Sequence, residues 1–389
     1  MPPRQEARKL YRPSVETMAN CIRDPVARLR FLQATAPLLT VPAPLRWYRS
    51  LRQFLARNRL ARFVLLTAAG LVALAALAAG VLMVTGTQAE ALPAPRQPIP
   101  SAPVPEAPPP DVWVVEKSAA EETYSNGLRI DDRYVVSHYP RSYVVFPANH
   151  AGPPVRRYDP AGIVFHTTES HQVPFEADHN DALRRVGESL LEYVQRRFSY
   201  HFLIDRFGRV FRVVAESDAA DHAGPSLWAD DKWLYVNLNR SFLGISFEAR
   251  TEAGQSESGA SPAQVRAAAM LTEMLRSRYR ILAANCVTHA QVSVNPANME
   301  VGYHTDWASG FPFEQVGLPN NYAQALPAVW AFGFLATAEY RAATGERMAE
   351  GVDRAEEAVR ASAQAEKCTL PVYRKRLQEG YRQRLAELK

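Results

Sequence analysis

Twenty-three consecutive uncharged residues, Phe63 to Thr85 (FVLLTAAGLVALAALAAGVLMVT), divide this chain. As a helix rising 1.5 Å per residue, such a run is long enough to cross the roughly 30 Å hydrocarbon core of a bilayer. The first 62 residues hold thirteen Arg and Lys against Glu6, Glu16 and Asp24, a net of +10. The whole chain carries only +5, so the other 327 residues sum to −5. The basic flank before the run orients the N-terminus toward the cytoplasm. The high pI of about 9.1 therefore belongs to the N-terminal arm, and no nucleic-acid partner is expected.

The expected organisation follows from this division. Residues 1–62 form a basic cytoplasmic arm, and residues 63–85 a single transmembrane helix in the inner membrane. Residues 43–62 alternate apolar and Arg positions at helical spacing. They either lie on the anionic inner leaflet or extend the spanning helix as a solvated one. Ala89-Glu90-Ala91 resembles a signal-peptide cleavage site. A long apolar stretch behind some 60 residues fits an uncleaved anchor better. Residues 86–111 are a linker, with nine prolines between Pro93 and Pro110. Such a segment is stiff and extended at about 3 Å per residue, reaching roughly 50 Å from the membrane into the periplasm.

Residues 112–321 read as a globular α/β domain with a mixed central sheet flanked by helices. Its expected strands are Tyr134–His138, Gly162–His166, His201–Asp205, Val210–Val214, Leu243–Ala249 and Ile281–Val287. Helical periodicity covers Asp181–Arg197 and Pro262–Arg280, the latter opened by Ser261 as cap and Pro262 in the first turn. Asp205-Arg-Phe-Gly208 reads as a hairpin turn. Residues 322–389, rich in Ala, Glu and Arg, read as a helical extension that packs on the domain or mediates assembly. Cys21, Cys286 and Cys368 form no recognisable disulfide framework. Cys286 reads as a buried strand residue rather than a ligand.

Two apolar runs end in histidine: Gly162-Ile-Val-Phe-His166 and the stretch up to Thr288-His289. A strand end at the lip of a cleft is where a metal ligand is useful, and two such ends far apart in sequence suggest one zinc site assembled by the fold. Zinc with an open position polarises a carbonyl and lowers the pKa of its water to about 7. Amide hydrolysis then needs a carboxylate to move the proton and a donor for the oxyanion. Glu248 and Tyr200 have those functional groups.

These stretches carry a family resemblance. GIVFHTTES, SYHFLIDRFGRVFRV, DHAG (221–224), LGISFEA (243–249), THAQVSVNP and Asp306-Trp307 together resemble the zinc-dependent N-acetylmuramoyl-L-alanine amidases of the phage lysozyme and peptidoglycan-recognition-protein superfamily. The resemblance covers roughly residues 160–310. It implies His166 and His289 as zinc ligands, Tyr200 as oxyanion donor, Glu248 as general base and His222 lining the substrate groove. By spacing it implies Glu300 as third ligand. His304 is the softer competing candidate, with Asp306 or water as the remaining alternatives. Asn298 stands where the family has lysine, and Thr288 where it has glycine. The implied partner is peptidoglycan or muropeptides. A non-catalytic peptidoglycan-binding module and a structural envelope protein are the alternative readings, and no oligomeric state follows.

Overall fold

The computed structural model describes residues 109–148, 152–252 and 259–388. The expected arm, transmembrane helix and most of the linker lie outside the described residues. Among the described residues, no helix is long and apolar enough to cross a membrane.

The main sheet has eight strands. They are β1 (Val114–Lys117), β2 (Glu121–Tyr124), β3 (Arg129–Asp131), β4 (Gly162–Thr167), β5 (Phe202–Ile204), β6 (Val210–Arg212), β7 (Phe242–Phe247) and β8 (Cys286–Thr288), in the order β1-β2-β3-β6-β5-β7-β4-β8. β7 pairs in parallel with β5 and β4, and β4 in parallel with β8. β5–β6, β1–β2 and β2–β3 are antiparallel. The sheet is therefore mixed, as expected. β4 and β7 are buried along their whole length. This is why both read as continuous apolar runs rather than alternating ones.

Helices cover both faces. α1 (Asn180–Arg197) sets Leu191 and Val194 against Leu203, Phe211 and Val213. α2 (Pro262–Tyr279) packs Val265, Ala268, Leu271 and Leu275 into the core that holds Ile163, Phe165, Ile245 and Phe247. Ser261 caps α2 in a reciprocal arrangement. Its Oγ accepts from Gln264 N at 3.2 Å, and its own N–H donates to Gln264 Oε1 at 2.9 Å. The β5–β6 turn also forms as expected. Asp205 Oδ1 accepts from the backbone N–H of Phe207 and Arg209 at 3.0 and 2.9 Å. Gly208 takes φ +82°, and a Cβ there would lie 2.7 Å from the Ala263 carbonyl oxygen.

Two expected strands are corrected. Tyr134–His138 contributes only one bridge, Val136 to Val214. The chain leaves the sheet there, because Arg141 beyond it turns inward to donate to the Glu216, Arg240 and Asp218 carbonyls. Ile281–Val287 shortens to β8. Ile281 N–H is used to close α2 on Arg276 O, and Ala283–Asn285 forms a 3₁₀ turn. A second, four-stranded sheet was not foreseen. It runs Leu227–Ala229, Trp233–Val236, Tyr143–Pro147, Val155–Arg157.

The C-terminal extension forms α3 (Ala338–Ala365), broken at Gly345, and α4 (Leu370–Glu387). It shares the main core rather than standing apart. Tyr340, Met348, Val352, Val359, Tyr373, Leu377 and Tyr381 belong to the same buried cluster as Phe247 and Trp307. Tyr340 Oη donates to the Ala290 carbonyl at 2.8 Å, directly beside His289. Cutting Tyr381 back removes a ring packed edge-on to Phe332 and Phe334, at 5.6 and 5.0 Å. Tyr381→Ala should lower unfolding free energy by about 3 kcal/mol in a denaturant titration. Unchanged stability would show that the tail contributes nothing to the domain.

Candidate metal centre

Three side chains converge at the C-terminal ends of the central parallel strands, where ligands bind in open α/β sheets. His166 is the fifth residue of β4 and is 1% exposed. His289 follows β8 directly and opens the helical turn His289–Val292. The register pairs Thr288 with Phe165, so the two histidines are adjacent across the β4–β8 ladder. Their rings lie 4.4 Å apart. Thr288 holds this turn through its N–H, which donates to Gln291 Oε1 at 2.9 Å.

Asp306 arrives from a different direction. Its backbone carbonyl accepts from Ala290 N–H at 3.2 Å. The next residue, Trp307, is fully buried at φ +55° against Phe247 and Phe311, at 5.5 and 5.3 Å. Tyr322 Oη donates to the Trp307 carbonyl at 2.8 Å. Thus the core anchors Trp307, and Trp307 presents Asp306. The Asp306 carboxylate places Oδ1 2.7 Å from His289 Nδ1 and Oδ2 3.2 Å from His166 Nδ1.

Electrostatics set the charge states. Burial and the neighbouring His289 push the His166 imidazole down to about 4. Burial works to raise the Asp306 carboxyl, but His289 and His166 outweigh it and hold it well below the usual range. At neutral pH a neutral His166 therefore faces a carboxylate. The donor atoms of His166, His289 and Asp306 all lie within 4.8 Å of one another. Zinc bonds of 2.0–2.1 Å in a tetrahedron imply a ligand-to-ligand edge of about 3.3 Å. The 3.2 Å His166–Asp306 separation matches that edge, and the 2.7 Å His289–Asp306 one is tighter. Two imidazoles and one carboxylate are a zinc donor set of the open, three-ligand kind.

The other expected site residues fall as follows. Glu300 is not in the cluster. It lies on the short strand Glu300–Val301, and its Oε2 accepts from Asn298 Nδ2. His304 stacks its exposed ring on His289, at 4.8 Å and 22° between planes, and adds no donor to the group. Asp306, rather than Glu300 or His304, is the residue that joins the two histidines in this cluster. His222 is buried, with Nδ1 3.0 Å from His166 Nε2 and Nε2 3.3 Å from the Phe242 carbonyl. It cannot line an open groove, and it stands behind the first histidine instead. Tyr200 sets its ring 5.1 Å from that of His166. Burial and then the Asp306 charge push its hydroxyl above the usual tyrosine range, so it is a neutral donor. His201 is fully buried and structural, accepting from Gly244 N–H through Nδ1 at 2.9 Å. Cys286 faces the main core, as expected.

Glu248 lies just beyond β7, 3% exposed, and accepts from Arg206 N–H at 3.2 Å. Burial raises its carboxyl to about 7. Sequence reasoning missed Ser246, which the register places directly beside His166 and which is buried near Tyr200. Strand alternation offered the only signal, since Ser246 is two residues before Glu248.

The Glu248 shift has a stability consequence. Its folded pKa of about 7 exceeds the ordinary value of 4.5, so between these values the folded state holds the extra proton. Stability from this group therefore falls as pH rises through that window, by at most about 1.4 kcal/mol per pH unit. Wild type minus Glu248→Gln stability, from urea melts at pH 5 and pH 8, should be lower at pH 8. Equal differences at both pH values would contradict the assignment.

Residues 156–306 match the family model described as Amidase_2, N-acetylmuramoyl-L-alanine amidase. The match includes all three converging residues and leaves the flanking segments outside it. No curated protein matches the chain. Among solved structures, the N-acetylmuramyl-L-alanine amidase AmiD from E. coli, in complex with anhydro-N-acetylmuramic acid-L-Ala-D-gamma-Glu-L-Lys, is 24% identical over 41% of this chain and 56% of its own, with a TM-score of 0.30. AmpDh3 from Pseudomonas aeruginosa, in complex with anhydromuramic pentapeptide, is 25% identical over 41% of this chain and 58% of its own, with a TM-score of 0.29. The amidase LysC from Clostridium intestinale URNW is 19% identical over 47% of this chain and 93% of its own, with a TM-score of 0.26. The chain thus spans little more than half the length of the first of these.

Proposed function

We propose that the domain is a zinc-dependent amidase that hydrolyses the bond between N-acetylmuramic acid and L-alanine in peptidoglycan or muropeptides. The observation that carries this reading is the convergence of His166, His289 and Asp306 inside the stretch that matches the amidase family model. These three would hold the zinc, which when bound supplies a Lewis acid and an acidified water.

The chain's own residues then have distinct tasks. Tyr200, kept protonated by its burial, donates a hydrogen bond to the oxygen that gains charge as the amide carbonyl becomes tetrahedral. Glu248 is the carboxylate on the β7 side of the site, and its pKa of about 7 suits a group that takes a proton from water and returns it to the leaving amine. The exposed His304 ring over His289 is placed to meet substrate. Activity should rise with pH through about 7 as Glu248 ionises.

One observation favours a second reading. Glu248 is 3% exposed and already holds a backbone N–H, and the residue beside His166 is a serine. A domain that binds muropeptides without cutting them would tolerate that arrangement. The apolar run at 63–85 and the basic arm before it support anchoring in the inner membrane, with the domain in the periplasm.

The test is zinc content by mass spectrometry together with release of stem peptides from purified peptidoglycan. Wild type should carry about one zinc and release peptide. Asp306→Ala should weaken zinc by more than the 10–100-fold typical of outer-shell losses, whereas His304→Ala should keep it. Tyr200→Phe should bind zinc but lose roughly 10²-fold in kcat. Zinc without cleavage would establish the binding module, and absence of zinc would sink the metalloenzyme reading.

A further inference from the structure

The second sheet helps form a cleft in which no residue of the candidate metal centre takes part. Ala161 and Asn285, which lead into β4 and β8, meet the strands Tyr143–Pro147, Val155–Arg157 and Trp233–Val236 there. The cleft therefore opens at the starts of these parallel strands, while His166 and His289 stand at their far ends. From Gly162 to His166 that is roughly 13 Å of strand. The volume is about 550 Å³. Small-molecule sites enclose about 300–1,000 Å³, so this is room for a molecule rather than a single ion.

The floor of the cleft is fixed before any ligand arrives. Asn285 Oδ1 accepts from Trp228 Nε1 at 3.1 Å. Its Nδ2 donates to the Ala161 carbonyl at 3.0 Å and to Asp230 Oδ2 at 3.1 Å. Tyr235 Oη donates to the same carboxylate oxygen at 2.7 Å. Asp230 Oδ1 accepts from the N–H groups of Lys232 and Trp233, both at 2.8 Å. Tyr143 Oη donates to the Asp159 carbonyl at 2.6 Å.

The rim is the reverse, because its donors are unspent. Among the described residues, the side chains of Arg157, Lys232 and Arg280 have no carboxylate partner. Arg156 bonds only Ser142 Oγ, at 2.9 Å. Arg157 sets its guanidinium carbon 4.6 Å from the centre of the Trp233 ring, which leaves its N–H groups free for an acceptor. The Trp233 indole N–H and the Tyr279 hydroxyl are also unpartnered on the lining. These four cations outnumber the three lining carboxylates, Asp159, Asp230 and Asp231, and Asp230 is already saturated by the floor. An aromatic wall with free donors and surplus positive charge suits a ligand with apolar ring faces, oxygens around its edge and a carboxylate. A carboxylated sugar has that form.

We propose that this cleft is a second binding site, which takes a carboxylate-bearing amino-sugar segment of a glycan strand. Trp233 supplies the apolar wall and an N–H, and Arg157 and Arg280 pair with the carboxylate. The identity of the strand rests on the function proposed above. Hydrolysis of the muramoyl–alanine amide adds water across the C–N bond. It leaves the sugar's acyl carbon as a carboxylate and the alanine nitrogen as an ammonium. Each cut thus gives the strand a new anionic acceptor, and the cleft holds the domain on glycan it has already stripped.

The experiment is calorimetric titration of the full chain in detergent, with a chelator present so that no metal-dependent cleavage alters the probe. The probes are peptide-free glycan strands, free stem peptides, and chitin oligosaccharides, which keep the amino-sugar rings but lack the carboxylate. Peptide-free strands should bind, and chitin oligosaccharides should bind about 10-fold more weakly or worse, because a hydrogen bond to a charged group is lost. Trp233→Ala and Arg157→Gln should each weaken strand binding about 10-fold or more. Arg280→Glu, at an exposed side chain, should do the same and decides the matter if Trp233→Ala fails to fold. Strands that do not bind, or that bind wild type, Arg157→Gln and Arg280→Glu alike, would overturn the site. Equal affinity for chitin oligosaccharides would overturn the carboxylate, and preference for free stem peptides would overturn the sugar. Peptide release without strand binding would sink the cleft and leave the amidase reading standing. Strand binding weakened by Arg280→Glu, in a protein that with zinc releases no peptide, would keep the cleft and sink the amidase reading.

Discussion

The parallel register of β4 with its two neighbours is the constraint on which the site depends. It sets Ser246 beside His166 on one side and brings Thr288, and therefore His289, level with the end of β4 on the other. Side chains alternate along a strand with a period of two, so a slip of one residue would turn His166 into the apolar core and put Phe165 in its place. Such a slip is blocked from both ends. Gly162 starts β4 where a Cβ would lie 2.3 Å from the Phe242 ring and 2.5 Å from the Asn285 carbonyl. Ile163 and Phe165 are committed to the main core on the face opposite His166.

A polar cluster this deep needs its hydrogen-bonding groups accounted for, since an unpaired buried group costs about 1–3 kcal/mol. The structure meets most of that requirement in layers, with the indole N–H of Trp307 left unpaired. Behind His166 stand His222 and the Phe242 carbonyl, and behind His289 stands Ala223. Farther back, Arg141 and His201 share the Asp218 carbonyl. Asp306 faces both histidine rings at once, and its support comes from the apolar side. Trp307, Tyr322 and Tyr340 tie the loop and the His289 turn to a core that includes the C-terminal helices. The tail thereby helps hold the His166, His289 and Asp306 cluster in shape.

Local chemistry was readable along the chain. The hairpin at Asp205–Gly208, the Ser261 cap and the two long helices follow from turn and capping residues within a few positions of one another. The buried strands β4 and β7 follow from their uninterrupted apolar runs. The pairing of His166 with His289 was also legible, because each closes an apolar run. Glu300 was drawn forward by spacing alone, and His304 by its softness as a ligand. Neither spacing nor ligand softness reveals the positive-φ turn at Trp307 that presents Asp306. The strand expected at Tyr134–His138 had the right composition but lacked a partner over more than one bridge.

The sequence by itself determined the α/β class, the strand-end histidines, the turn and cap chemistry and the division of charge between arm and domain. Each of these rests on neighbours a few residues apart. Tertiary structure alone decided that Asp306 completes the cluster, that His222 is buried behind His166, that Ser246 sits beside His166, and that the tail belongs to the core. Those outcomes depend on which segments meet across 17 to 140 positions of chain. Such meetings are set by packing volume, strand register and the need to satisfy buried polar atoms, none of which is encoded in any one stretch.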